Sequence, residues 1–178
     1  MRYGAVMLLV GLAGTVSGQP APDPHQTFLQ RVDEYVELHR RLEGPLPKAV
    51  VTADPHAIVA PRRALAAAIR TARAQARQGD IFSPPVATYF RTLVADALRA
   101  GGITDMLAIV EDENSVHTPA RVNADYPAGR SIPLMPSCLL LALPALPPEL
   151  QYAFVGRDLI VRDVHAGLIV DILPRAIP

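Results

Sequence analysis

Five histidines, one cysteine and two short acidic groupings are where this 178-residue chain could do chemistry. His25, His39, His56, His117 and His165 are scattered, and the sequence has no G-x-S-x-G elbow, H-E-x-x-H pair, P-loop or Rossmann glycine fingerprint. Nucleophilic catalysis would need the fold to carry a Ser or Cys to one of these histidines, so a hydrolase with a fold-assembled site stays open. Asp163 and His165, two residues apart in a strand-like run, are the one local pair with metal-ligand character. A zinc-type site needs three or four N, S or O donors, so Asp158, His117 or Glu149 would have to join them. The bland alternative is that Asp163 accepts backbone N–H bonds near a turn while His165 caps the sheet edge. Glu111-Asp112-Glu113-Asn114 lacks the spaced pattern of a calcium loop and reads as a solvated loop. Cys138 lies in a leucine-dense piece with no charged neighbour to lower its pKa, and reads as a small buried hydrophobe.

Arg62, Arg63, Arg70, Arg73 and Arg77 give one segment a basic side. Arg70, Arg73 and Arg77 are the candidate binding residues there, for an acidic envelope partner or an anionic ligand. The competing reading is a solvated face whose Arg stems cover apolar surface.

The elements that must position these groups are clearest at the C-terminus. From Leu150 to Leu173, Val/Ile/Leu/aromatic runs are separated by Gly156-Arg157 and Ala166-Gly167, the pattern of a three-stranded antiparallel meander. A two-residue first turn sets Val155 opposite Asp158 and Tyr152 opposite Val161. A two-residue second turn sets His165 opposite Leu168 and Arg162 opposite Asp171, with Leu168, Val170 and Ile172 on the apolar face.

Upstream, Asp23-Pro24, Asp54-Pro55 and Ser83-Pro84 are cap-then-proline starts of helices. The first spans Pro24 to Glu43, with Phe28, Val32, Tyr35 and Val36 on its stripe. The second reaches Gln78, broken or kinked by Pro61. The third carries Val86, Phe90, Leu93, Val94 and Leu98 and closes at Gly101-Gly102. Ile103 to Val110 fits a short helix or a buried strand, Ala120 to Asn123 a strand, and Cys138 to Leu143 about two helical turns packed on the meander.

Met1-Arg2, the apolar run Gly4 to Val16 and Val16-Ser17-Gly18 read as a signal peptide over residues 1–18, too short for the ~20 apolar residues of a membrane span. A Pro-rich lead, 19–23, follows, and then one domain, 24–178: a helical layer to 113, an irregular stretch to 149 and the meander over 150–173. Seventeen basic and seventeen acidic residues leave no electrostatic footprint for nucleic acid. A single cysteine excludes an intramolecular disulfide.

Phe28 to Gly44, A-R-Q-G-D-I-F-S-P at Ala76 to Pro84, V-N-A-D-Y-P at Val122 to Pro127 and the meander resemble a family of exported bacterial proteins, a likeness that brings no function with it. The C-terminal stretch is also similar to the last segment of periplasmic nickel/cobalt-homeostasis proteins of the RcnB type, matching at Tyr152, Gly156, Asp158 and Gly167. The expected protein is an α+β domain in which three or four amphipathic helices pack with a C-terminal three-stranded meander. Its expected role is that of an exported, non-catalytic binding or structural protein without a cofactor. The alternatives are a periplasmic metal-responsive protein using Asp163 and His165, and the hydrolase.

Overall fold

The computed structural model describes residues 22–48, 54–106, 108, 110, 119–126 and 135–177. Residues 1–18, the acidic run Glu111–Asn114 and His117 lie outside them. The fold is α+β, in the order α1 (Pro24–Glu43), α2 (Pro55–Ala72), α3 (Pro84–Ala100), α4 (Ser137–Ala142), β1 (Leu150–Val155), β2 (Asp158–Asp163) and β3 (Leu168–Leu173). The three strands form one antiparallel sheet in sequence order. No helix among the described residues is long and apolar enough to cross a membrane.

Helix α1 begins where the Asp23 carboxylate accepts the His25 N–H, and α2 repeats this with Asp54 and His56. Ser83 precedes α3 without a side-chain cap. The helix stripes and one sheet face share a core centred on aromatic rings. Phe28 lies 4.6 Å from Phe90 and stacks at 6.4 Å on Tyr152 of β1, while Phe82 meets Phe90 edge-on at 5.1 Å. Residues 106, 108 and 110 are helical, with Met106 and Val110 buried.

A second, smaller apolar cluster covers the back of the sheet, where Tyr126 packs with Ala153, Ile160, Ile169 and Ile172. It is held by Asn123 N–H to Ile169 O and Tyr126 N–H to Gly167 O, each 2.8 Å. The strand expected over Ala120–Asn123 is therefore a turn, followed by a single bridge of Asp125 to Leu168.

The first hairpin has the expected register, Val155 opposite Asp158 and Tyr152 opposite Val161, with Gly156 at φ 57° in the turn. The second does not. Its turn holds four residues, 164–167, so Asp163 faces Leu168 and Arg162 faces Ile169. Beyond that, Val161 faces Asp171, leaving Val170 as an extra residue in β3. Such a bulge shifts every later side chain by one position. Leu168 and Val170 keep the core face, Asp171 turns inward, Ile172 moves to the back and Leu173 returns to the core. The expected Arg162–Asp171 pair does not form. Arg162 instead donates to Gln151 Oε1 and lies 4.8 Å over the Tyr126 ring.

Two further expectations are corrected. Helix α2 is not broken at Pro61, which lies inside it and removes one backbone donor, and it stops at Ala72 rather than Gln78. Arg73 leaves the helical region there, at φ −109° and ψ 32°, and its side chain reaches Asn123 Oδ1 and Val170 O. The leucine-dense α4 packs on α3 rather than chiefly on the meander. Its half-buried Cys138 lies against Gly101 at the end of α3 and Leu139 is buried, while Leu140 and Leu141 are exposed.

Candidate metal centre

Helix α1 places Tyr35, His39 and Glu43 at intervals of four, hence on one face. That face meets the end of β2 and the β2–β3 turn. Asp163, fully buried at the last position of β2, is where they converge. Its Oδ2 accepts from Tyr35 Oη at 2.7 Å and pairs with His39 Nδ1 at 2.6 Å, while Oδ1 takes the Ala166 N–H of its own turn at 2.7 Å. An ionised carboxylate is acceptor-only, so His39 carries its proton on Nδ1 and presents Nε2 outward. Nε2 lies 3.2 Å from Glu43 Oε2, and Glu43 Oε1 lies 2.9 Å from His165 Nδ1.

The charges in this chain are coupled. Burial works against a protonated His39, but the hydrogen bond and charge of Asp163, and then Glu43, outweigh it and raise the imidazole above its ordinary value. Burial would likewise raise Asp163, yet its bonds from His39, Ala166 and Tyr35 hold the carboxyl below the usual aspartate range. The Tyr35 phenol is pushed up by burial and by Asp163, and so stays a donor. Next to His39 on α1, Arg40 Nε donates to Glu149 Oε1 at 2.6 Å. That bond lowers the Glu149 carboxyl against the opposing effect of burial.

One donor atom from each of His39, Glu43 and His165 falls within 4.8 Å of the other two. A tetrahedral set at zinc bond lengths separates its ligands by about 3.4 Å. The contacts of His39 at 3.2 Å and of His165 at 2.9 Å fall on different oxygens of Glu43, and the Glu43 and His165 side chains, 42% and 45% exposed, have room to bring one oxygen between the two rings. His39, fully buried, is the fixed post. A carboxylate behind a histidine ligand fixes its tautomer and raises its basicity, which is the position of Asp163. Two imidazoles and one carboxylate suit zinc, nickel, cobalt or copper rather than calcium.

Of the pair singled out in the sequence, His165 lies in the donor set and Asp163 stands one shell behind it, bonded to His39. Asp163 also accepts a turn N–H, as the bland reading had it. Of the suggested third ligands, Asp158 caps Arg175 N–H and Glu149 holds Arg40. His39 and Glu43 supply the donors instead. Their signal was a histidine on the buried stripe of α1, three residues past Val36, with a glutamate one turn further. His39 Nε2 meets the Glu43 carboxylate, whereas His25 Nδ1 lies 3.4 Å from the Tyr89 hydroxyl. Cys138 lies elsewhere, against Gly101.

The arginines divide. Arg70 binds Asn123 O at 2.9 Å and Asp125 at 2.8 Å, and Arg73 is bound to Asn123 and Val170 and lies 5.1 Å over the Tyr35 ring. Arg77 is exposed. No protein-family model, curated protein or solved structure matches the chain.

Proposed function

We propose that the protein is an exported, non-catalytic binding protein whose ligand is a divalent transition-metal ion, taken by His39, Glu43 and His165. The observation that carries this reading is the convergence of three donors from α1 and the β2–β3 turn, with a buried carboxylate orienting the histidine of the set. Export rests on the signal-like residues 1–18. The likeness of the meander to RcnB-type proteins agrees with the class of ligand, although the matching residues Tyr152, Gly156, Asp158 and Gly167 are not the donors. A partner surface at Arg70, Arg73 and Arg77 has weaker support, since two of the three side chains are bound within the fold.

Calorimetric titration of the purified protein with Zn²⁺, Co²⁺ and Ni²⁺ tests the reading. One site per chain is expected, with at least tenfold weaker binding in His39→Ala, Glu43→Gln and His165→Ala, each shown folded by circular dichroism. A folded His165→Ala variant with unchanged affinity would remove the site.

A further inference from the structure

Two of the three donors border a cleft of about 650 Å³ between the end of α1 and the start of α2. Glu43 and His165 line the cleft, whereas His39 is buried behind them. Three protein donors leave a zinc-type ion at least one further position, as in sites that bind a fourth, exchangeable ligand. That position faces the cleft, because two of the three donors, Glu43 and His165, line it.

The lining indicates what would fill it. The walls are apolar, from Leu46, Ile58, Pro61 and Leu65. Ile58 remains 53% exposed although it sits on a helix beside this recess. The rim is cationic, from Arg40, Lys48 and Arg62. Arg40 is held by Glu149, while Lys48 and Arg62 have no acidic partner among the described residues. The Arg62 guanidinium lies over the turn that carries His165, with Nη1 3.6 Å from where a Cβ on Gly167 would stand. A divalent ion bound by one carboxylate and two neutral imidazoles keeps a net positive charge on its own ligand set, with the opposing Asp163 carboxylate buried behind His39, away from the cleft. The cleft thus combines a positive end, free cations at its rim and an apolar floor of small-molecule size.

Resting on the metal reading above, we propose that the cleft takes an aliphatic carboxylate, whose carboxylate group occupies the open position of the metal and meets Arg62 while its chain lies on Ile58, Pro61 and Leu65. The bound species is then a ternary complex of protein, metal and acid.

Octanoate and acetate are the probes, titrated into the full-length protein with and without saturating Zn²⁺, after Zn²⁺ alone. Octanoate is expected to bind the zinc-loaded protein at least tenfold more tightly than the zinc-free protein. It should also bind tenfold more tightly than acetate, since each buried methylene adds to affinity. Arg62→Ser should weaken octanoate roughly tenfold, as loss of one charge-assisted bond does, and leave the Zn²⁺ affinity unchanged. Ile58→Ser should weaken octanoate and not acetate. If Zn²⁺ binds but octanoate affinity is the same with and without it, or the same in Arg62→Ser, this proposal fails and the metal reading stands. If Zn²⁺ itself does not bind, both fail.

Discussion

At the scale of single residues, Asp163 matters more for what it does to others than for what it could bind. Its carboxylate accepts from Tyr35, His39 and Ala166, so it fixes the rotamer and tautomer of the one fully buried member of the donor set. Asp163→Asn keeps the shape and removes the charge that holds the Nδ1 proton. Losing such an outer partner costs about 10–100-fold in metal affinity, and that weakening is expected for Zn²⁺ in the Asn variant by competition with a chelating dye. Tyr35→Phe removes a different bond to the same carboxylate. It should lower stability by about 1.5–3 kcal/mol in urea unfolding, the range for a hydrogen bond to a charged group, and leave the zinc stoichiometry at one. The sequence showed Asp163 and His165 because they are two residues apart. It hid His39, which is 124 residues from Asp163 and looks like one more buried position on an amphipathic stripe. A buried histidine acquires chemical meaning when its partner is known, and the partner here is set by how α1 lies across the sheet.

Between elements, much of the sequence was legible where local chemistry decides. Prolines after Asp23, Asp54 and Ser83 fixed three helix starts, and Gly156 fixed the first hairpin. The second hairpin was not legible, because a bulge at Val170 has no residue signature and a four-residue turn reads much like a two-residue one around the same glycine. The bulge has a structural consequence. By turning Asp171 toward the helices it lets one buried carboxylate accept the N–H groups of Gly79, Ile81 and Phe82 at 2.7–2.8 Å, tying the α2–α3 connection to β3. Burial raises this carboxyl and the four surrounding N–H donors, Ile172 included, oppose that rise. Asp171→Ala would strand three donors at a site with little access for water. At 1–3 kcal/mol each the loss is about 3 kcal/mol or more, a fall in Tm of roughly 6–12 °C by calorimetry. Where α3 ends, a Cβ on Gly101 would stand 2.8 Å from Cys138 Sγ and 3.0 Å from its Cβ. Gly101→Ala should therefore cost about 1–3 kcal/mol through overpacking against α4. Cys138→Ala should restore part of that, since the second of the two close contacts would remain.

Across the whole molecule, the helical layer and the meander are joined at their polar edge by carboxylates on the sheet side and α1 groups on the other. Glu149, just before β1, is the one of these outside the hydrogen-bonded chain of Tyr35, Asp163, His39, Glu43 and His165. Arg40 faces it with a direct bond and His39 lies near enough to lower it further, while burial opposes both. Its folded pKa is thus below its unfolded one. The linkage sign follows: above the ordinary glutamate value the folded state holds fewer protons, and the contribution of the pair is fully present. As pH falls through the ordinary value, near 4.3, and on to the lower folded value, the unfolded chain takes up its proton first and the contribution is lost. Thermal melts of the metal-free protein from pH 7 to pH 3 should show this as a decline in Tm beginning below about 4.5. Glu149→Gln should begin from a lower Tm at pH 7, because Arg40 has lost its charged partner, and should decline less steeply over the same acid range. Parallel curves for the two proteins would mean that the pair does not hold α1 to the meander, and that the Asp163 bonds to Tyr35 and His39 and the buried apolar face do so without it.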